Sequence, residues 1–402
     1  MVRIVELCTD ILPCPPPKGG AIETYVYGIS KAMALQGAEV HLVTTEKRHD
    51  VNYDNIHVHV VNLSTSIATK LRRLSAIISS PNSNIPYLSI KLLELFNEIE
   101  NQYGKIDIIH SHYFTTSLAP LIYKYVNGAN VVVVGHLHSE IKPNKTNKLL
   151  IELYDLHLAV SKYLKHRTIE LLRASPDKIG VVYNAVDIDF FKPCKPSEKA
   201  DKRKQVGVEE NDFILAFIGR IIPEKGLHHL ILASKILKEK GHKFKLLIAG
   251  PLGHFDIEKL EGYPKIVFEL INKLKISQDV KYLGRINRDL TKDLYCIADL
   301  VVTPSIGPDA CPTVVLEAMA MGRPVVAYAS GGIPELIPPY SGIVIKGKSP
   351  RLLAGAIEMV MQGVISFNES ATVEWARKKF SYMAVAQRLL MIFEKVEESK
   401  LI

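Results

Sequence analysis

Residues 301–332 read VVTPSIGPDACPTVVLEAMAMGRPVVAYASGG, and they give the clearest indication of the fold class. A short apolar strand comes first, then a loop rich in Pro and Gly, a helix over 313–321 and a second apolar strand over 324–327. Parallel strands need such a crossover connection, which is usually a helix, and strands that alternate with helices build a parallel sheet covered on both faces. The stretch therefore predicts an α/β fold.

The same alternation continues through the chain in two separate series. At 402 residues the chain is longer than one hydrophobic core usually supports. We therefore expect two Rossmann-like, doubly wound domains. The predicted strands are 3–7, 39–44, 57–61, 106–109, 131–134, 156–160 and 179–182, then 213–218, 245–249, 280–283, 300–303, 324–327 and 342–345.

The stretch between the two series, 190–208, is rich in Lys, Pro, Ser and Glu and is typical of an exposed linker. We place the domains at 1–195 and 196–372, and expect 373–402 to be a helical segment that returns towards the first domain. Open α/β sheets bind ligands at the carboxyl ends of their strands. The active site is therefore expected in a cleft between the domains.

Composition excludes several classes of protein. The chain is 47% hydrophobic and 23% charged, as in ordinary globular proteins. Its net charge of +8 permits an anionic partner, but the basic residues are spread over both halves rather than clustered with stacking aromatics, which argues against nucleic acid. No apolar run approaches the roughly 18 residues that a membrane-spanning helix needs, and residues 1–8 read as a strand rather than a signal peptide.

The five cysteines are scattered along the chain and include no C-x-x-C pair. This pattern argues against a disulfide framework and against a zinc site. We therefore expect a reducing, cytoplasmic setting and no bound metal.

Two motifs suit an anion at the ends of predicted strands. Gly19 and Gly20 follow the first strand and open a helix, where backbone N–H groups can approach a phosphate; a Pro/Gly turn with no ligand is the equal alternative. Arg220 ends the first strand of the second series and Lys225 lies just before the next helix. Two fixed cations beside a helix N-terminus suit a diphosphate leaving group. For Arg220 or Lys225 considered alone, the alternative is an exposed, solvated charge with no ligand.

The opening stretch also contains two carboxylates, Asp309 and Glu317, with seven residues between them. Carboxylates accept hydrogen bonds from the vicinal hydroxyls of sugars. The alternative is a helix-capping Asp309 and a surface Glu317. The apolar neighbours of Glu317 disfavour that alternative.

Taken together, these motifs resemble the family 4 (group 1) retaining glycosyltransferases of the GT-B fold, over essentially the whole chain. The blocks that carry the resemblance are Gly19-Gly20 with its helix, DIIHSH at 107–112, VGHLH at 134–138, AVS at 159–161, YNAVD at 183–187, Gly219-Arg220 with Lys225-Gly226, YLGR at 282–285, the paired-acid stretch and GGIPE at 331–335.

The resemblance implies a nucleotide-diphosphate sugar as co-substrate and roles for named residues. Arg220 and Lys225 would hold the diphosphate, Glu317 would bind the ribose, and Asp309 and His138 would lie at the transferred sugar. The resemblance implies that His138, Arg220, Lys225 and Asp309 form the catalytic set. Further donor contacts would come from Gly19, Gly20, Asn184, Gly219, Arg285, Ile286, Ala310, Cys311, Pro312 and Thr313.

The chain departs from the family pattern at three places. Asp309 stands where the family usually has a glutamate, Ala310-Cys311-Pro312 replaces a Gly-aromatic-Gly sequence, and Ala185 stands where a glycine is common. Pro312 has no backbone N–H that could hydrogen-bond to the nucleotide sugar. Donor choice is therefore expected to depend on Asp309 and Pro312.

Two histidine pairs, at 110/112 and 136/138, lie near predicted strand ends. For His110 and His112, acceptor binding and a structural hydrogen bond are equal alternatives. We expect His136 and His138, with one residue between them, to point in different directions, so that only one of them faces the cleft. The family spacing favours His138.

Residues 55–93 contain no Asp or Glu, and Lys70, Arg72 and Arg73 lie there among apolar residues. The pattern is compatible with an interfacial helix on anionic lipid at the inner face of the cell membrane. A helix packed on the first domain is an equal alternative.

The sequence and the resemblance together predict metal-independent transfer of a hexose to a hydroxyl of a lipid-linked or polysaccharide precursor, with retention of configuration. No D-x-D motif is present, and fixed cations can take the place of a metal at the leaving group. Two alternatives stay open: a nucleotide-sugar epimerase, and a non-catalytic protein that binds a nucleotide sugar or nucleic acid.

Overall fold

The computed structural model forms two compact units, each built on a parallel sheet, and it describes residues 1–17, 19–61, 85–112, 118–126, 130–252 and 261–399. The first unit comprises Met1–Ala185 with Tyr382–Ile402, and the second comprises Val186–Ser381. The sequence expectation put these junctions at 195 and 372. Both lie elsewhere because residues 186–195 and the helix at Glu369–Phe380 belong to the second unit.

In the first unit the described residues form a seven-stranded parallel sheet of order β3-β2-β1-β4-β5-β6-β7. Its strands are β1 Arg3–Leu7, β2 Glu39–Thr44, β3 Ile56–Val60, β4 Ile108–Ser111, β5 Val132–Leu137, β6 Leu156–Ala159 and β7 Ile179–Val181. Its helices are α1 Ala21–Leu35, α2 Ile85–Tyr103, α3 Leu118–Val126, α4 Lys145–Leu153 and α5 Lys162–Leu172, together with Tyr382–Glu398 from the far end of the chain.

In the second unit the described residues form a six-stranded parallel sheet of order β10-β9-β8-β11-β12-β13. Its strands are β8 Ile214–Ile218, β9 Lys245–Ala249, β10 Val280–Tyr282, β11 Leu300–Thr303, β12 Val325–Tyr328 and β13 Gly342–Ile345. Its helices are α6 Pro196–Val206, α7 Leu227–Glu239, α8 Gly262–Lys273, α9 Arg288–Ile297, α10 Thr313–Ala320, α11 Pro350–Met361 and α12 Glu369–Phe380. The C-terminal helix of the first unit, Tyr382–Glu398, is α13.

The helix α13 packs against α1 through its apolar face. Leu389 and Phe393 are fully or almost fully buried there in the core that α1 shares with the sheet. The ring of Tyr382 lies so close to Gly28 that a Cβ at Gly28 would stand 2.3 Å from it. A glycine at this position in α1 is therefore what allows the C-terminal helix to dock.

The expectation of an exposed linker over 190–208 was wrong for most of its length, because residues 196–206 form α6. Pro196 occupies the first turn, and Arg203 in the last turn is almost fully buried. The guanidinium of Arg203 donates to the carboxylate of Asp299 at 2.7 Å and to the backbone oxygen of Glu210 at 2.6 Å. A buried arginine whose two terminal nitrogens are hydrogen-bonded anchors the segment, which its hydrophilic composition alone did not reveal.

The expectation of no disulfide was also wrong. Cys194, just before α6, and Cys296, on α9, form a disulfide across 102 residues of sequence, with their Cα atoms 5.8 Å apart. The two helices pack against each other in the fold, and neither spacing nor motif foretells such a long-range pairing. The cysteines therefore give no ground for a reducing setting.

Within the described ranges, no helix is both long and apolar enough to cross a membrane. The basic residues Lys70, Arg72 and Arg73 lie outside the described residues.

Candidate active site

Two of the predicted site residues, Lys225 and Asp309, form an ion pair in the second unit. Lys225 ends a short 3₁₀ turn after β8, and its Nζ lies 2.5 Å from Oδ2 of Asp309. Gly226 follows with φ 69°, and a Cβ there would stand 2.0 Å from the carbonyl oxygen of Pro304. The residue after Lys225 must therefore be glycine for the turn to approach the loop that carries Asp309.

The backbone around Asp309 is held by the GGIPE segment. The amide of Gly332 donates to the backbone oxygen of Asp309 at 2.8 Å. Gly331 has φ 61°, and a Cβ on it would lie 2.2 Å from that same oxygen. The paired glycines thus fix the loop and aim the Asp309 side chain at Lys225.

The second carboxylate, Glu317, lies one turn into α10, which begins at Thr313 with Pro312 as its N-cap residue. The hydroxyl of the buried Tyr295 donates to Oε2 of Glu317 at 2.7 Å, and the side chain of Thr313 also hydrogen-bonds to Glu317. Residues four apart share a helix face, which explains the Thr313 contact. Glu317 is therefore a half-buried, oriented acceptor rather than a surface glutamate.

Burial raises the pKa of Glu317 above its ordinary value near 4.5, while the hydrogen bond from Tyr295 acts in the opposite direction. The folded chain therefore binds this proton more tightly than the unfolded chain does. The resulting contribution to the free energy of unfolding is present below about pH 4.5 and is lost as the pH rises through the raised pKa. At pH 7 the ionised carboxylate destabilises the fold.

We expect Glu317→Gln to unfold at higher urea concentration than the wild type at pH 7, because the amide removes a partly desolvated charge. The difference should shrink towards pH 4, where the wild-type carboxyl is itself neutral. Urea unfolding at both pH values measures this, with the exposed Glu239→Gln as a control. A larger difference at pH 4 than at pH 7 would contradict the inferred shift.

Four other predicted donor contacts of the second unit follow the ends of β8 and β10, the two strands that flank β9. Gly219 and Arg220 follow β8, and Arg285 and Ile286 follow the edge strand β10. Gly250 joins the two turns: its amide donates to Gly284 at 2.8 Å, and a Cβ on it would lie 1.9 Å from the oxygen of Gly219. Both arginines are exposed, Ala310 is half-buried, and Cys311 and Pro312 are buried beneath the loop.

In the first unit, a buried glutamate organises the predicted histidines. Glu6 lies on the central strand β1, directly opposite His110 on β4, and is fully buried. Its Oε1 lies 2.9 Å from Nδ1 of His110, and its Oε2 lies 2.7 Å from Nε2 of His112. One carboxylate therefore accepts a hydrogen bond from each imidazole.

These bonds determine the tautomers along two chains of imidazoles. Because Glu6 accepts from Nε2 of His112, the Nδ1 of His112 is left as an acceptor. It faces Nε2 of His138 at 3.2 Å, so His138 donates from that nitrogen. In the same way Nε2 of His110 accepts from Nδ1 of His136 at 3.1 Å. Glu6 thereby orients His138 through His112.

The four histidines differ in exposure. His110, His112 and His136 are buried, whereas His138, just after β5, is half-buried. Burial lowers the pKa of His138 to about 3, although a side-chain hydrogen bond between His138 and Asn184 acts to raise it. Burial also lowers the pKa of His112 and of His136 well below the usual value. His138 is therefore neutral at pH 7 and is the member of the cluster that lies nearest to solvent.

The expectation that His136 and His138 point apart was wrong. Their rings stack at an angle of 15° with centroids 4.7 Å apart. Side chains two residues apart in an extended strand project from the same face, so both imidazoles belong to one cluster.

The glycine pair stands at the start of α1. Gly20 is the N-cap residue, with φ 143°, and a Cβ on it would lie 2.7 Å from Oε2 of Glu23. Glu23 is buried in the first turn and accepts a hydrogen bond from the hydroxyl of Thr9. A carboxylate of the chain thus already lies at this helix N-terminus beside Gly19 and Gly20.

Two groups among the described residues bring metal-ligating atoms within 4.8 Å of one another. One consists of His110, His112 and His136, and the other of Glu39, His41 and His57.

Comparisons with known proteins identify the family. The family model described as Glycosyltransferase Family 4 matches residues 19–190, and the model described as Glycosyl transferases group 1 matches residues 198–370. The chain belongs to the group 1, family 4 glycosyltransferases. Its two parallel α/β units are those of the GT-B fold, as expected from the sequence.

Individual relatives are similar along most of this glycosyltransferase. An uncharacterized glycosyltransferase of Methanocaldococcus jannaschii is 26% identical over 94% of the chain and 95% of its own length. The lipopolysaccharide 1,2-N-acetylglucosaminetransferase of Salmonella typhimurium is 26% identical over 83% of the chain and 82% of its own length. The crystal structure of Anabaena HepE in complex with UDP-glucose superimposes with a TM-score of 0.74 at 23% identity, over 98% of this chain and 100% of that one.

Sequence reasoning missed Glu6 and Tyr295. Glu6 is an isolated acidic residue in an apolar central strand, where an unpaired charge is costly. That position was the available signal, because a buried carboxylate requires donors. Tyr295 carried no such signal, since tyrosine is common on helices that pack against a core.

Proposed function

We propose that this glycosyltransferase transfers a hexose from a uridine-diphosphate sugar to a hydroxyl acceptor with retention of configuration. The observation that carries the proposal is the second unit's arrangement of Lys225, Asp309 and Glu317. A cation held at a strand end meets the diphosphate, and an oriented, half-buried carboxylate accepts from the ribose hydroxyls. The relatives' activities support a transferase rather than an epimerase.

In the proposed reaction, the bond between the anomeric carbon and the diphosphate oxygen breaks, and the acceptor oxygen bonds to the same face of that carbon. The proton of the acceptor hydroxyl passes to the departing diphosphate oxygen. Arg220 and Lys225 stabilise the negative charge that develops on the diphosphate, which is where preorganised cations have their largest effect. No metal is required at the leaving group in this scheme.

The Lys225–Asp309 pair suggests how donor binding is coupled to the sugar end of the site. A diphosphate that accepts from Lys225 competes with Asp309, so the carboxylate is released to accept from a sugar hydroxyl. We propose that Asp309 and His138 contact the transferred sugar, and that neutral His138, whose single N–H is donated to His112, acts there as an acceptor from a sugar hydroxyl. The remaining donor contacts stay as predicted from the sequence.

A thermal-shift screen over nucleotide sugars tests the donor. We expect UDP-hexoses to raise the melting temperature in a concentration-dependent way, because a ligand that binds only the folded state stabilises it. GDP- and ADP-hexoses at the same concentration serve as comparisons. If UDP-sugars and UDP leave the melting temperature unchanged, the proposed donor is wrong.

For the acceptor we propose a lipid-linked or polysaccharide precursor, with peripheral contact to anionic membrane at the cytoplasmic face through Lys70, Arg72 and Arg73. The proposal rests on the basic, acid-free pattern of 55–93. Flotation with anionic vesicles, with and without neutralisation of these three residues, tests it; the absence of binding by the unaltered chain would end it.

A further inference from the structure

The outer edge of the first unit's sheet carries a histidine cluster that the proposed function does not use. The edge strand β3 reads IHVHV, so His57 and His59 project from one face. The register of β2 with β3 places His41 directly opposite His57. Three imidazoles therefore gather on one face of the two strands.

The central ring, that of His41, is in contact with both of the others. Nδ1 of His41 is 2.9 Å from Nε2 of His59, and the ring of His41 stacks on that of His57 with centroids 4.8 Å apart. Glu39 precedes His41 by two residues on the same strand, and its carboxylate joins the cluster: one ligand atom from each of Glu39, His41 and His57 lies within 4.8 Å of the others. The cluster thus combines three imidazoles and a carboxylate.

Glu39 also fixes the tautomer of the central ring. Its Oε1 lies 3.4 Å from Nε2 of His41, and its Oε2 accepts from the guanidinium of Arg3 at 2.8 Å. Since the carboxylate accepts, Nε2 of His41 carries the proton and its Nδ1 lone pair points towards His59. A carboxylate that receives the outer N–H of an imidazole is the usual support of a metal-bound histidine.

Exposure gives an ion access to this cluster. His41 is fully buried, whereas His57 is exposed and His59 is half-buried. The ring of Tyr103 packs against His41 and His57, with centroids 4.7 Å away in each case, and covers one side. The remaining approach runs from solvent past His57.

We propose that His41, His57 and His59, supported by Glu39, bind a divalent transition-metal ion of the zinc class. Imidazole and carboxylate are ligands that zinc and its neighbours prefer. Zinc–nitrogen bonds of about 2.0–2.1 Å in a tetrahedron place ligand atoms about 3.3 Å apart. The 2.9 Å pair therefore opens slightly on binding, and the exposed His57 side chain rotates inward to complete the set. The bound ion ties the edge strand β3 to β2.

Metal titration of the full chain tests the site, after removal of any affinity tag and of bound metal with a chelator. We expect Zn²⁺ to bind in a saturable way and to raise the melting temperature, and Co²⁺ to give the visible absorption of a four-coordinate nitrogen and oxygen site. His57→Ala should weaken this binding by more than the roughly 10–100-fold that follows loss of a residue that only orients a metal ligand, because it removes a direct ligand.

The controls separate this cluster from other histidines. His57 is exposed, so its replacement leaves the core intact, and His59→Ala provides a second, independent variant. The exposed His49→Ala, outside the cluster, should bind Zn²⁺ as the wild type does. Absence of saturable binding overturns the proposal. So does wild-type affinity in both His57→Ala and His59→Ala, which would place the ion elsewhere in the chain.

Discussion

Lys225→Ala is expected to reduce turnover of the donor sugar by about 100- to 1,000-fold, the usual effect of removing one preorganised group that stabilises developing charge. The substitution acts twice. It removes a cation that would bind the diphosphate. It also removes the partner of the Asp309 carboxylate, which lies 2.5 Å from Lys225, so that an unpaired carboxylate stands beside the diphosphate. Release of UDP from the donor, with and without acceptor, measures the loss.

The matched control for this variant is Lys243→Ala, which removes an exposed lysine of the same unit. We expect the control to keep wild-type turnover, and both variants to keep the wild-type melting temperature within a few degrees. Lys225 is one-quarter exposed, so its truncation leaves no large cavity. Wild-type turnover in Lys225→Ala would show that the lysine has no role at the leaving group.

Glu6→Ala is expected to lower the free energy of unfolding by about 2–6 kcal/mol. It leaves two buried imidazole N–H groups, on His110 and His112, without acceptors, at about 1–3 kcal/mol each. Both residues are at most 2% exposed, so bulk solvent does not reach these N–H groups. Urea unfolding at pH 7 measures the effect, and the exposed Glu46→Gln is the control.

Glu6→Gln distinguishes orientation of the histidines from simple support of the core. The amide has one accepting and one donating group, so one of the two imidazoles must shift its proton to the other ring nitrogen. If His112 shifts, the proton order reverses along the chain to His138. We expect a large fall in turnover with little change in the free energy of unfolding. The nitrogen NMR signals of the imidazoles should change as well. Wild-type turnover together with altered tautomers would contradict a positioning role for Glu6.

The chain's alternation of short apolar strands and helices was enough to predict both sheets. Strands 245–249 and 300–303 coincide with the observed β9 and β11, because parallel strands buried on both faces read as nearly continuous apolar runs. Strand 39–44 coincides with β2, although Glu39 and His41 interrupt its apolar run. In the second unit the structure places the candidate residues Lys225 and Asp309 on adjacent turns and Glu317 on one short helix, and their roles in binding and catalysis stay predictions.

What sequence reasoning missed depends on contacts between distant segments. The hydrophilic helix α6 is held by a buried arginine whose partner, Asp299, lies 96 residues away. The Cys194–Cys296 disulfide spans a similar distance. Glu6 reaches its two histidines across more than 100 residues. Composition and spacing describe local preferences, and none of these pairings follows from a local preference.

The most direct test of the proposed donor site is a crystal structure of the chain with bound UDP-glucose. We predict that the ribose hydroxyls lie within hydrogen-bonding distance of Glu317, that the diphosphate accepts from Arg220 and Lys225, and that the bond from Lys225 to Asp309 is broken. A nucleotide bound away from Glu317, or a Lys225 that still pairs with Asp309 while the diphosphate is in place, would contradict the account.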